Sequence, residues 1–208
     1  MNLSISRRLL WVIPVYGVIF IGIYIVPSAW VALLGFHLAI SIPLLPQLRT
    51  LPARIFHPVS PVLLLLMVCA GLLGGLVLWF LWPYTGITAI IYQARLASLG
   101  MTRDFPWVVF IVYFSLVNPW LEEAFWRDLL TNDSRYPTLV DFLYAGFHLI
   151  ILALFVSPFW LLVALLILAA TGWFWRLITR RTGSLLPAII FHIAADFSIV
   201  WVIYQRSL

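Results

Sequence analysis

Residues 118–127, NPWLEEAFWR, place two adjacent glutamates and an arginine inside an apolar stretch long enough to cross a bilayer. On insertion scales, a carboxylate or guanidinium near the middle of a spanning helix costs about 2.5–3.5 kcal/mol. Glu122, Glu123 and Arg127 together therefore oppose insertion by roughly 8–10 kcal/mol before they pair. Because folding in lipid does not require such groups, their presence indicates chemistry.

The composition of the whole chain supports a membrane setting for this stretch. Of the 208 residues, 64% are hydrophobic and only 9% are charged, which is too few charges to cover a soluble surface of this size. The net charge of +5 is carried by scattered arginines and is too sparse for nucleic acid, so the bilayer and not a nucleic acid is the expected partner. The predicted fold class is all-α, a polytopic transmembrane helix bundle.

Hydropathy divides the chain into about seven apolar stretches of spanning length. They cover residues 9–26, 29–45, 62–81, 107–130, 139–156, 159–178 and 185–204. The piece 84–99 suits an interfacial helix better than a crossing, although an eighth span there is possible. We expect one transmembrane domain over residues 1–208, with the motifs of interest in 118–198.

The arginines predict how the chain is oriented in a cell membrane. If Arg7 and Arg8 are cytoplasmic and seven spans alternate, six further arginines fall on the cytoplasmic side and three fall opposite. The cytoplasmic group is Arg49, Arg54, Arg135, Arg176, Arg180 and Arg181, and the opposite group is Arg95, Arg103 and Arg206. The amino terminus of this multi-pass protein is therefore expected in the cytoplasm.

Ionisable residues on three different spans lie at nearly the same depth. Glu122 and Glu123 lie about eight or nine residues from the cytoplasmic end of their span, or about 12–14 Å at the helical rise of about 1.5 Å per residue. His148 on the fifth span and His192 on the seventh lie at a similar distance from that side. We expect these side chains to meet.

Spacing within each helix predicts which side chains share a face. Glu123 and Arg127 are four residues apart and can pair, whereas Glu122 points about 100° away and is left outside that pair. His192 and Asp196 are also four apart, so that the carboxylate can hold the ring.

These motifs resemble those of the CPBP intramembrane proteases, also called the abortive-infection or type II CAAX prenyl endopeptidase family. The three matching patterns are Glu122-Glu123-x-x-x-Arg127, Tyr144-x-x-x-His148 and His192-x-x-x-Asp196. They occur in the family's order, each on a separate span, between about residues 119 and 198. Tyr144 replaces the usual Phe, and Asp128 stands where many relatives have Gly. The first 105 residues carry no recognised motif.

The resemblance implies an intramembrane glutamic-type endopeptidase, a hydrolase that acts on a membrane-associated peptide or protein near the cytoplasmic side. Glu122 and His148 would activate a water for attack on the peptide carbonyl, and His192 with Asp196 would stabilise the oxyanion. Glu123, Arg127 and Tyr144 would support them. An ionised Asp196 only accepts hydrogen bonds, so its expected role is to favour a charged, donating His192.

Two other functions remain open from the sequence. One is a zinc-dependent intramembrane hydrolase with His148, His192 and Glu122 as ligands, although no short-spaced zinc motif occurs. The other is a non-catalytic membrane immunity protein or scaffold that keeps the polar cluster for binding. The glutamic-type interpretation requires no metal and no cofactor. Its substrate could be a prenylated carboxyl-terminal peptide, a bacteriocin or pheromone precursor, or a sorting signal.

Overall fold

The structure, a computed structural model, describes residues 5–86, 88–101 and 105–207, and these residues form helices and no strands. Arg103, expected on the side opposite the amino terminus, lies outside the described residues. The α-helices are α1 (Ile5–Leu9), α2 (Val12–Phe20), α3 (Ala29–Leu44), α4 (Leu51–Ile55), α5 (Pro61–Leu81), α6 (Ala89–Ser98), α7 (Phe105–Glu123), α8 (Leu139–Leu152), α9 (Pro158–Thr182) and α10 (Leu186–Ser207). Two π-helical segments, Ile21–Ile25 and Ala124–Leu129, extend α2 and α7.

Six helical stretches of the described chain are long and apolar enough to cross a membrane. They are Arg7–Ile25, Ala29–Gln47, Pro61–Thr85, Trp107–Leu129, Pro158–Thr182 and Leu186–Arg206. The remaining apolar helix, α8, has 14 residues and falls short of the roughly 20 residues that a full crossing needs. The ten-residue α6 is shorter still, which agrees with an interfacial helix in this region. The predicted fold class, an all-α membrane bundle, is confirmed.

The helix ends follow from their local sequences. Pro61 and Pro158 occupy the first turns of α5 and α9, where a missing N–H costs nothing. Thr138 and Asp141 form a reciprocal capping box at the start of α8. Gly183 ends α9 with a φ of 70°, a left-handed conformation that glycine adopts without strain.

Helix α10, which carries His192 and Asp196, packs very closely against α5. A Cβ atom at Gly71 would lie 2.4 Å from the carbonyl oxygen of Phe191, and one at Gly75 would lie 2.6 Å from Ser198. The Ser198 hydroxyl also accepts a hydrogen bond from the Gly75 backbone N–H at 3.1 Å. Small residues permit such approaches between membrane helices, so α5 fixes the position of α10.

Helix α8, which carries Tyr144 and His148, is held from both sides. It packs along α9 on one side and against α2 on the other. The Tyr16 hydroxyl of α2 donates to the carbonyl oxygen of Leu143 at 2.8 Å, and the Tyr24 hydroxyl donates to that of Ile150 at 2.8 Å. The amino-terminal helices therefore help to place a helix that bears a predicted site residue.

Candidate active site

The two glutamates lie in the last turn of α7, where the helix changes its winding. Pro119 lies inside α7, and the chain becomes π-helical from Ala124 to Leu129, with all six residues of that segment buried. The exposed fractions of Glu122 and Glu123 are 2% and 0%. Short π-helical segments are frequent at functional sites because they redirect side chains.

Glu123 joins the arginine of its own helix to the histidine of α10. Its Oε2 lies 3.5 Å from Arg127 Nε, so the predicted pair is present. Its Oε1 lies 2.9 Å from His192 Nδ1, a contact that the sequence spacing did not predict. Because an ionised carboxylate only accepts, His192 carries a proton on Nδ1 in this arrangement.

His192 lies between two carboxylates. Asp196 Oδ1 lies 3.4 Å from His192 Nε2, as the four-residue spacing predicts, while Glu123 holds the other ring nitrogen. The Nε2 contact is longer than an ordinary N–H···O hydrogen bond of about 2.7–3.2 Å. Because an ionised Asp196 only accepts, a proton on Nε2 would be only loosely engaged by this contact.

Asn118 holds the other glutamate, Glu122, which lies one turn after it on α7. Its Nδ2 donates to Glu122 Oε1 at 2.8 Å and to Asp196 Oδ2 at 3.2 Å. Glu122 therefore stays outside the Arg127 pair, as expected, but it is fixed through one oxygen. Its other oxygen, Oε2, is buried and has no hydrogen-bond partner among the described residues.

His37 of α3 also belongs to this cluster, although its sequence context gave no reason to include it. Its Nε2 lies 3.1 Å from Asn118 Oδ1, and its Nδ1 lies 3.0 Å from the Tyr113 hydroxyl. Since a carbonyl oxygen only accepts, Nε2 donates and, in the neutral ring, Nδ1 accepts from Tyr113. The only available signal was a histidine in the middle of an apolar span, which is rare without a partner.

His148 lies at the edge of the cluster. Its Nδ1 donates to the carbonyl oxygen of Tyr144 at 2.9 Å, so that Nε2 is the acceptor of the neutral ring. Its ring lies 5.0 Å from that of Tyr144, which lies 5.9 Å from Trp175, and Trp175 lies 4.6 Å from His192. No hydrogen bond within the described chain joins His148 to Glu122. His192 and Glu123 therefore contact each other directly, as the expected convergence of the motifs requires. His148 is connected to His192 only through the aromatic rings of Tyr144 and Trp175.

Arg127 is enclosed by these aromatic rings. Its guanidinium carbon lies 4.1 Å above the ring of Tyr144 and 5.6 Å from that of Trp175. The tyrosine found in place of the usual Phe thus serves as a cation–π surface for the arginine.

The three ligands of the zinc alternative do not converge. Among the described residues, no three His, Cys, Asp or Glu side chains form a group that could hold a metal ion. The nitrogens of His192 face Glu123 and Asp196, and Nδ1 of His148 faces a backbone carbonyl.

The fold and the cluster define a multi-pass membrane protein with carboxylates and imidazoles gathered from four helices, and His37, Glu122, Glu123 and His192 among them are buried. Residues 104–198 match the sequence model of the family described as type II CAAX prenyl endopeptidase, Rce1-like. This segment, slightly under half of the chain, is a domain of that family and contains all three motifs, and membership indicates a membrane protease with protein substrates. No curated protein and no solved structure matches the chain significantly.

Proposed function

We propose that the protein is an intramembrane endopeptidase of the glutamic type, in which Glu122 is the general base. The observation that carries this proposal is the asymmetry of the Glu122 carboxylate. Asn118 holds Oε1, whereas Oε2 is buried without a hydrogen-bond partner in the described chain. A buried oxygen of this kind is suited to accept a proton from water, because the geometry of the carboxylate is already fixed.

Hydrolysis then proceeds by water attack. Glu122 Oε2 takes a proton from water, the water oxygen bonds to the carbonyl carbon, and the C–N bond breaks as the leaving amine receives that proton. His148 assists through Nε2, which is an acceptor when Nδ1 donates to Tyr144. General acid–base groups of this kind accelerate such a reaction by about 10²–10⁴-fold.

We assign to His192 the role of stabilising the oxyanion. Its Nε2–H faces Asp196 at 3.4 Å, a loose contact from which the proton can turn toward a developing negative charge. Glu123, whose Oε1 lies 2.9 Å from Nδ1, keeps the ring oriented. Asp196 is itself held by Asn118, so one amide positions the base and the partner of the oxyanion donor.

The surface of α7 supports the proposal of a membrane-associated substrate. An apolar groove of about 350 Å³ runs along this helix between Val108 and Val117, and Tyr113 lines it. The same Tyr113 contacts His37, which contacts Asn118. Because Asn118 in turn donates to Glu122, a hydrophobic segment in the groove would contact a residue three hydrogen bonds away from the proposed base.

The orientation proposed from the arginines places this chemistry near the cytoplasmic side of a cell membrane. Cysteines introduced at Arg54 and Arg95 should then react with an impermeant thiol reagent from opposite sides of the membrane. Labelling of both positions from one side would contradict a crossing by Pro61–Thr85, the candidate span that separates them.

The direct test is Glu122→Gln, which removes the base and keeps the shape of the side chain. We expect cleavage of membrane-anchored peptides, including prenylated carboxyl-terminal ones, to fall at least about 10²-fold with the fold retained. The matched control is Asp133→Asn, the same chemical change at a fully exposed carboxylate. Cleavage is measured by mass spectrometry of membrane peptides.

Two measurements separate the alternatives. A scaffold or immunity protein would retain its cellular effect in Glu122→Gln. A zinc hydrolase would lose activity when the wild-type protein is assayed in a chelator. Undiminished cleavage by Glu122→Gln would remove Glu122 as the base.

A further inference from the structure

One side-chain amide, that of Asn118 on α7, contacts carboxylates on two helices. Its Nδ2 donates to Glu122 Oε1 at 2.8 Å and to Asp196 Oδ2 at 3.2 Å, which uses both hydrogens of the amide nitrogen. Its Oδ1 lies 3.1 Å from Nε2 of His37 on α3. A half-turn about the last side-chain bond of Asn118 would instead direct an acceptor oxygen at both carboxylates. The orientation of this amide therefore decides whether the proposed base and Asp196 are held.

The carboxylates fix this orientation only while both are ionised. When Glu122 takes a proton from water, its bond to Asn118 changes from a charge-assisted one to a neutral one, which is about half as strong. A neutral carboxyl group can also donate, so that it tolerates an amide oxygen beside it. While Glu122 carries the proton, the orientation of Asn118 therefore depends more on its other partner, His37.

Tyr113 determines which nitrogen of His37 carries the proton. Its hydroxyl lies 3.0 Å from Nδ1 of the ring. A phenolic hydroxyl donates more readily than it accepts, because an oxygen lone pair is delocalised into its ring, and an unprotonated imidazole nitrogen is a good acceptor. Donation from Tyr113 to Nδ1 leaves the proton of the neutral ring on Nε2, where it faces Asn118 Oδ1. A donor at this position matches the amide oxygen and repels the NH2 group.

Burial prevents water from taking the place of His37. The exposed fractions of His37 and Asn118 are 5% and 1%. The imidazole ring also lies 5.8 Å from the ring of Phe36 and 5.4 Å from that of Tyr113. A buried amide oxygen that loses its donor costs more free energy than an exposed one, because solvent does not replace the lost bond.

We propose that His37 is a positioning residue of the active site, which keeps the NH2 group of Asn118 directed at Glu122 and Asp196 throughout hydrolysis. The inference rests on the proposed function, in which Glu122 is the base. His37 acts through Asn118, since its two ring nitrogens are occupied by Tyr113 and Asn118. Its loss should therefore slow the chemical step and leave substrate binding unchanged.

The test compares two amide substitutions that differ by one methylene group. In His37→Gln the side-chain nitrogen lies near the position of ring Nε2 and still donates to Asn118, whereas in His37→Asn it lies near Nδ1 and does not reach that amide. For cleavage of a membrane-anchored peptide, we expect kcat within about threefold of the wild type in His37→Gln. In His37→Asn it should fall about tenfold, the rate equivalent of one hydrogen bond.

Two further measurements distinguish positioning from other roles. KM should change by less than about twofold in both variants, because His37 acts on the chemical step. The matched control is His57→Asn, the same change at an exposed histidine, which should leave kcat unchanged. Equal kcat values in folded His37→Gln and His37→Asn would overturn the proposal, as would a loss carried by KM alone.

The Asn118 amide can also be observed directly, without any cleavage. The sequence has three asparagines, Asn2, Asn118 and Asn132, so the full chain made with isotopically labelled asparagine gives three pairs of side-chain amide signals in nuclear magnetic resonance. Asn118→Ala identifies the pair from Asn118. We expect this pair to keep its chemical shifts in His37→Gln and to move in His37→Asn and in Tyr113→Phe, while the pair from Asn132 stays in place.

The two kinds of measurement separate failure of this inference from failure of the proposed function. Unmoved Asn118 signals in both His37→Asn and Tyr113→Phe would overturn the positioning role, even if the protein cleaves peptides as proposed. Undiminished cleavage by Glu122→Gln would instead remove the proposed base, and with it the role of His37 in hydrolysis, whatever the amide signals show.

Discussion

Two arginines of the residues that the structure describes are completely buried, and their surroundings differ sharply. Arg176 of α9 is bonded at all three guanidinium nitrogens, with Asp141 accepting at 3.2 and 2.8 Å and the carbonyl oxygens of Ser134 and Tyr136 accepting at 2.6 and 2.9 Å. Arg127 has one ion pair at 3.5 Å, two aromatic neighbours and no hydrogen bond in the described chain.

The difference separates a structural role from a functional one. Arg176 ties the loop between α7 and α8 to both α8 and α9, and all of its polar atoms are satisfied within the protein. The charge distribution alone placed it among the cytoplasmic arginines that orient the chain, but the structure shows it to be fully buried. The guanidinium of Arg127 lies beside Glu123 and against the ring of Tyr144, within the cluster of candidate site residues.

The largest effect should come from removing Arg176, whose three guanidinium nitrogens are all hydrogen-bonded. Arg176→Ala leaves Asp141 buried without its cation, so the free energy of unfolding should fall by about 3–5 kcal/mol. Thermal unfolding in detergent measures this loss. The control is Arg181→Ala, the removal of an exposed arginine on the same helix, which should change stability by less than about 0.5 kcal/mol. Similar stability of the two variants would contradict the structural role.

The second arginine should affect activity more than stability. Arg127→Gln removes the charge opposite Glu123 but breaks no hydrogen bond in the described chain, so we expect a loss of about 1–3 kcal/mol in unfolding free energy. Cleavage should fall at least about 10²-fold, because Glu123 no longer holds His192 in a defined position. A variant that loses stability as severely as Arg176→Ala, in the same unfolding assay, would erase the distinction between the two arginines.

The smallest effect separates the ring of Tyr144 from its hydroxyl. Tyr144→Leu removes the aromatic face below Arg127 and should cost about 2 kcal/mol, the value of a desolvated cation–π contact. Tyr144→Phe keeps that face and should change stability by less than about 0.5 kcal/mol. Unfolding curves of the two variants, measured side by side, test this order. A larger loss in Tyr144→Phe than in Tyr144→Leu would assign the support of Arg127 to the hydroxyl.

Helical periodicity explains what could be predicted from the sequence. The pairs Glu123–Arg127 and His192–Asp196 lie on single helices, so a four-residue spacing was sufficient to predict both contacts. The apolar stretches likewise matched the helices closely, because membrane length constrains them.

Contacts between helices could not be predicted from the sequence. Whether Glu122 or Glu123 faces His192 depends on the rotation of α7 about its axis, which the π-helical segment after Glu123 also affects. His37 and Asn118 are 81 positions apart, and nothing in the spacing of either residue relates them. The position of His148 behind aromatic rings similarly depends on how α8 and α9 pack.

The hydrogen bond between His37 and Asn118 limits how this protein can be divided or transplanted. A graft of residues 104–198 into another membrane scaffold would carry every family motif, but it would leave the Asn118 oxygen without its imidazole. It would also leave α10 without the two glycines of α5 against which it packs. The motif segment is therefore not a portable module, and any chimera must inherit α3 and α5 along with it.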